Sequence, residues 1–140
     1  MAHWLFKSEP SVWSWDNTVA AGDKGTSWSG VRNHTAKLNM MAMKPGDTGF
    51  FYHSGDGREI VGLVEVCKAF HPDPSDATGK FGMVDIRTVR PLKTFVTLAA
   101  VKAEPRLAAM SLVTSFRLSV QPVTAAEWKL VCKMGGVAEG

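Results

Sequence analysis

Long apolar runs are missing from this chain of 140 residues. No stretch approaches the roughly 20 residues that cross a bilayer, and the opening MAHWLFKSEP has no signal-peptide core. No membrane segment is expected, and the reading is of a cytoplasmic protein. Cysteine is scarce: Cys67 and Cys132 are far apart without metal-type spacing, so they read as buried reduced thiols. His3, His34 and His71 also lack ligand spacing, which predicts no metal, and nothing in the chain asks for another cofactor. Excess charge is small, since 16 basic and 13 acidic residues leave +3, too little to coat nucleic acid through charge alone. There is no Walker loop, no G-x-S-x-G elbow, no H-E-x-x-H and no paired C-x-x-C. Repeats, low-complexity tracts and dividing linkers are absent too.

What remains is ordinary globular composition, 45% hydrophobic and 21% charged, in a length that suits one domain over residues 1–140. HWLFKS, stopped by Pro10, reads as a strand with Trp4 in the core. Ser11 is expected to cap a short helix through about Asp16, covered by Trp13 or Trp15. From Arg32 onward, Ala36, Met40 and Met43 fall at helical spacing, and Pro45-Gly46 ends that helix. In DTGFFYHS, Phe50 and Tyr52 face one way and Phe51 and His53 the other, as in a central strand covered on both faces. The segment Ser54 to Arg58 reads as a hairpin loop into EIVGLVEVCKAF, where Gly62 marks a bulge or a close approach.

Residues 72–76 form a polar loop before the strand GMVDIRTV. Short helical turns follow at LAAVKAE and SLVTS, then a strand near RLSVQPV. Thr124 and Glu127 make a capping box, with Val123 and Trp128 as its hydrophobic staple, for a helix that stops at Gly135-Gly136. Strands with helices set irregularly between them predict an α+β fold on a curved, mostly antiparallel sheet, a small open barrel.

Of the five tryptophans, Trp28 stands apart. It lies in TSWSGVRNHTA, a polar, glycine-flanked turn outside any periodic apolar face, where an indole can either lid a core or wall a pocket. His53 with Ser54, Glu9 and Asp85 is a set from which an enzyme could draw a nucleophile and a base, although a hydrogen-bonded His53 on a sheet face explains it as well.

Lys7-Ser8-Glu9-Pro10, Trp28-Ser-Gly-Val-Arg-Asn33, Phe51-Tyr52-His53-Ser54, Gly62 with Val64-Glu65-Val66, Met83-Val84-Asp85 and Arg117-Leu-Ser-Val-Gln-Pro122 occur in this order over essentially the whole chain. In this the chain resembles the EVE domain family, which is similar to YTH domains and looks like a branch of the PUA superfamily. The resemblance implies a PUA-like curved barrel with flanking helices, a pocket for a modified nucleobase, modified cytosine in DNA being the usual suggestion, and a bacterial source among short members. The chain departs from the family pattern in its short segment between Pro74 and Met83, and in Phe116-Arg117, where a second basic residue is common.

A base-reading pocket needs a flat wall and fixed donors and acceptors. Trp28 supplies the wall in this reading. Ser8, Glu9, Asn33, Tyr52, His53 and Ser54 are the candidate ligand contacts, and Lys7, Arg32 and Arg117 the candidate phosphate contacts. Two alternatives stay open: Asn33 capping the helix with Arg32 bridged to a carboxylate such as Glu9, and Tyr52 and His53 as barrel core. The expected protein is a weak, monomeric, non-catalytic reader of nucleic acid in which Trp28→Ala abolishes binding and leaves the fold intact. A nuclease or hydrolase using Lys7, Glu9 and His53, or a small-metabolite binder, is the alternative.

Overall fold

The computed structural model describes residues 2–55, 57–115 and 117–138. Asp56 of the expected hairpin loop and Phe116 of the second departure lie outside the described residues. The elements are β1 (His3–Ser8), α1 (Trp15–Ala20), β2 (Thr26–Ser27), α2 (His34–Ala42), β3 (Thr48–His53), β4 (Glu59–Pro72), β5 (Gly82–Thr97), α3 (Leu98–Ala103), α4 (Ser111–Thr114), β6 (Val120–Val123) and α5 (Ala125–Met134).

The strands form one sheet in the order β2-β5-β4-β3-β1-β6. β1 and β3 run parallel, and the remaining pairings are antiparallel. This α+β sheet does not close into a barrel, because β2 at one end and β6 at the other do not pair with each other. The barrel expectation fails there: period-two patterning shows that a strand has two faces, but edge pairing is a property of the whole chain.

Both faces of the sheet are covered. Trp4, Phe6 and Phe51 pack with Trp15, Trp28, Ala36 and Met40 on one side. Leu5, Phe50 and Tyr52 pack with Leu107, Trp128 and Val131 on the other. The alternation in β3 therefore holds as its sequence predicts. Gly62 is required by close approach, since a Cβ there would collide with the ring of Trp15, and the β4 register shifts beside it.

The first helix begins later than Ser11. Ser14 caps it, accepting from the Asn17 N–H while the Asn17 carboxamide accepts from the Ser14 N–H. Residues before it form a turn in which Val12 and Trp13 both donate to the Glu9 carbonyl. Asn in place of the usual Glu or Gln hides this capping box from a motif reading. β5 also runs past GMVDIRTV to Thr97, because Pro91 sits where the β4–β5 register slips and costs no ladder bond in regular pairing. The closing capping box on Thr124 and Glu127 forms as read. Cys132 is buried as expected, whereas Cys67 is only half-buried. No helix among the described residues is long and apolar enough to cross a membrane.

Candidate nucleobase pocket

A cavity of about 810 Å³ opens where β1 ends, between the turn after it and the loop from Gly25 to Asn33. That volume lies within the usual range for small-molecule sites. Lys7, Ser8, Glu9, Trp28, Arg32 and Asn33 of the expected site residues line it. Trp13, Val12 and Ser119, which the sequence reading passed over, line it as well. Trp13, one of the two tryptophans expected to cover the first helix, donates its indole N–H to Thr18 at 2.8 Å. Nothing local signals that its other side faces a cavity.

Trp28 is 9% exposed, not the open loop residue that its polar neighbours suggest. Its backbone N–H donates to Val84 across the sheet edge at 2.7 Å, and its ring meets Phe6 and Phe51 edge-on at 5.3 and 5.7 Å. The indole is thus core on one side and pocket wall on the other. Edge-to-face neighbours fix its plane, which is what a stacking surface requires. The indole nitrogen has no hydrogen-bond partner in the described structure, yet it is not a sealed polar atom, so it can donate to a guest.

Asn33 holds two roles at once. Its carbonyl oxygen caps α2 by accepting from the Ala36 N–H at 2.9 Å, which fixes the rotamer and leaves the amide NH₂ without a partner among the described residues. Ser8 donates its hydroxyl to the Trp13 carbonyl at 2.6 Å and keeps its acceptor lone pairs. The Glu9 carbonyl is occupied by the turn, so only its side chain remains for a guest.

Arg32 does not bridge to Glu9. It reaches Asp73 at 3.4 Å and Ser75 at 3.1 Å, and its guanidinium lies 5.7 Å from the Phe81 ring centroid. Asp73, whose side chain is fully buried, also accepts from the Gly30 N–H at 2.8 Å and from both groups of Ser75. Burial would push its carboxyl up, but hydrogen bonds from Ser75, Gly30 and Arg32 outweigh that and hold it at about 2. The short polar loop is therefore the fastening of the pocket loop. Gly30, at φ +78°, supplies the turn that aims its N–H at Asp73.

The remaining expected residues lie elsewhere. His53 accepts from the Trp15 N–H through Nε2 at 3.0 Å and stacks edge-on with Phe51. Burial lowers its pKa, against the opposing fields of Glu59 and Asp16, so the neutral acceptor form is favoured. Tyr52 and Ser54 face a second, smaller cavity that meets the first only at Lys7. Arg117 is exposed and does not line the main pocket. Among the described residues no group of His, Cys, Asp and Glu is arranged to hold a metal ion.

A flat, fixed aromatic wall with open donors at its rim, set on a two-faced α+β sheet, is an arrangement complementary to a planar ligand. The chain belongs to the EVE domain family, whose pattern matches residues 2–134. It is similar to human thymocyte nuclear protein 1, with 34% identity over 165 residues, 95% of this chain and 73% of that protein. The NMR structure of Rpa0253 from Rhodopseudomonas palustris is 66% identical at a TM-score of 0.92, over 97% of this chain and 94% of the other. Human THYN1 protein, solved in complex with 5-methylcytosine containing DNA, is 34% identical at a TM-score of 0.89, over 99% of each chain.

Proposed function

We propose that this chain is a non-catalytic module that captures a modified base of nucleic acid, modified cytosine in DNA foremost, with its face on Trp28. The polar rim beside the Trp28 wall carries the reading: the Asn33 amide is an open donor and the Ser8 hydroxyl an open acceptor. A nucleobase edge that carries a ring acceptor and an amino donor, as cytosine does, meets both. The 5-methylcytosine DNA bound by the related human THYN1 protein supports the same ligand class. A hydrolase would need a nucleophile and base in the cavity, whereas His53 lies outside it with its acceptor nitrogen engaged.

The test is binding of the purified chain to matched single-stranded and duplex oligonucleotides carrying plain or modified cytosine and adenine. Asn33→Asp is the control of choice, because Asp caps a helix as well as Asn but replaces the open donor with an acceptor. Modification-dependent binding is expected, weakened about tenfold in Asn33→Asp, the worth of one hydrogen bond, with an unchanged melting temperature. Affinity that ignores both the modification and Asn33→Asp rejects the reading. Equal affinity for a free nucleoside and for the oligonucleotide containing it points to a metabolite binder instead.

A further inference from the structure

The second cavity, about 390 Å³, is lined by Lys7, Arg58 and Lys102 together with Tyr52 and Ser54, and among the described residues no carboxylate contributes to its wall. Nothing in the base-reading function uses it. Successive residues of β1 face opposite sides of the sheet, so Ser8 turns to Trp13 and the main pocket while Lys7 lies 5.7 Å from the Tyr52 ring centroid. One strand end therefore joins the two cavities.

Tyr52 is the sharpest observation. The residue is only 3% exposed and lines this notch, while its hydroxyl has no hydrogen-bond partner among the described residues and is not sealed from solvent. A buried ring thus holds an accessible hydroxyl that can donate to a guest. Arg58 is the one described residue other than glycine with a positive φ, 43°, a strained conformation that its Nε–H bond to the Gly55 carbonyl, 3.2 Å, helps to hold. Lys102 has no ion-pair partner among the described residues. The wall thus offers cationic side chains and hydroxyl donors, the complement of an acceptor-only anion.

We propose that this notch seats a phosphate, the backbone phosphodiester beside the captured base, held by Arg58 and Lys102 with the Tyr52 and Ser54 hydroxyls. The polymer source rests on the base-reading function and on Lys7, which lines both cavities. It also replaces Arg32, which Asp73 and Ser75 already engage, as a phosphate contact.

The experiment uses the full chain and its Arg58→Gln/Lys102→Gln double variant, which should fold with a melting temperature lowered only slightly, since both positions are exposed and the lost Arg58–Gly55 hydrogen bond lies at the surface. The probes are a short single strand with one central 5-methylcytosine, the same strand with neutral methylphosphonates flanking that base, and inorganic phosphate. In the parent protein the neutral linkages are expected to weaken binding about tenfold, as for loss of one hydrogen bond to a charged group. The double variant should show no such loss, and its log affinity should fall less steeply with log salt, by about 0.7 for one phosphate on a single strand.

An equal methylphosphonate loss in both proteins, or an unchanged salt slope, overturns the notch while leaving base reading intact. Loss of binding in the double variant together with indifference to Asn33→Asp upholds the notch and rejects the base pocket. Inorganic phosphate shifting the NMR signals of Arg58 and Lys102, without any effect of neutral linkages, overturns the backbone source in favour of a small phosphorylated ligand. If neither probe moves those signals, the notch is not a phosphate site.

Discussion

At Trp28 a single side chain serves stability and recognition together. Its burial against Phe6 and Phe51 means that Trp28→Ala removes a large core ring, and denaturant unfolding should show a loss of about 3 to 5 kcal/mol. Lost binding in that variant therefore needs a folding control before it speaks for the pocket. Trp28→Phe keeps a smaller flat wall, and should lower base affinity several-fold through lost stacking area at a much smaller stability cost. Discrimination has a ceiling at this scale. One buried methyl contributes about 0.8 kcal/mol, roughly fourfold in affinity, so larger selectivity for a methylated base requires the fixed edge contacts of Asn33 and Ser8. Stacking adds about 1 to 3 kcal/mol per base without choosing among bases.

Among elements, the informative pair is the pocket loop and the segment from Asp73 to Phe81. Asp73→Asn should destabilise the chain by about 1 to 3 kcal/mol, by weakening hydrogen bonds to a buried group, and should speed hydrogen exchange at Gly30. The acid limb follows from linkage. The Asp73 carboxyl sits at about 2 in the fold against an ordinary 3.8, so its stabilisation is complete above 3.8 and disappears as pH falls toward 2. Acid titration of unfolding should show that loss in the parent chain and a flatter curve in Asp73→Asn. His53 gives a second limb. Its lowered value means that the unfolded chain takes up the proton first, so the support His53 gives α1 through Trp15 is full above 6.5 and is lost on acidification below it. The sequence marked residues 72–76 only as a polar loop, because which backbone an Asp side chain will accept from is decided by what folds against it.

For the molecule as a whole, a net charge of +3 gives limited attraction to a polyanion, so the few cations near the two cavities matter more than the total. A base taken from a duplex must first be unstacked, at a cost of a few kcal/mol. The same modified base should therefore bind on the order of tenfold or more tightly in a single strand than in a matched duplex, as fluorescence anisotropy at low salt can show. A preference for the duplex would mean that contacts beyond the base and one phosphate offset the flipping cost.

Local rules made much of this chain readable in advance. The alternation in Phe50 to His53, the helical spacing of Ala36, Met40 and Met43, the Thr124–Glu127 cap and the ordered family motifs all depend on neighbours a few residues apart, and each is present in the fold. Tertiary structure alone decided the rest. It left the sheet open, put the Trp28 indole half into the core, tied Arg32 to Asp73 across 41 positions, and set Arg58 and Lys102 beside Lys7 around Tyr52. Periodicity and capping are energies of adjacent residues, whereas a pocket is the space left when distant segments pack, and no local pattern records that space.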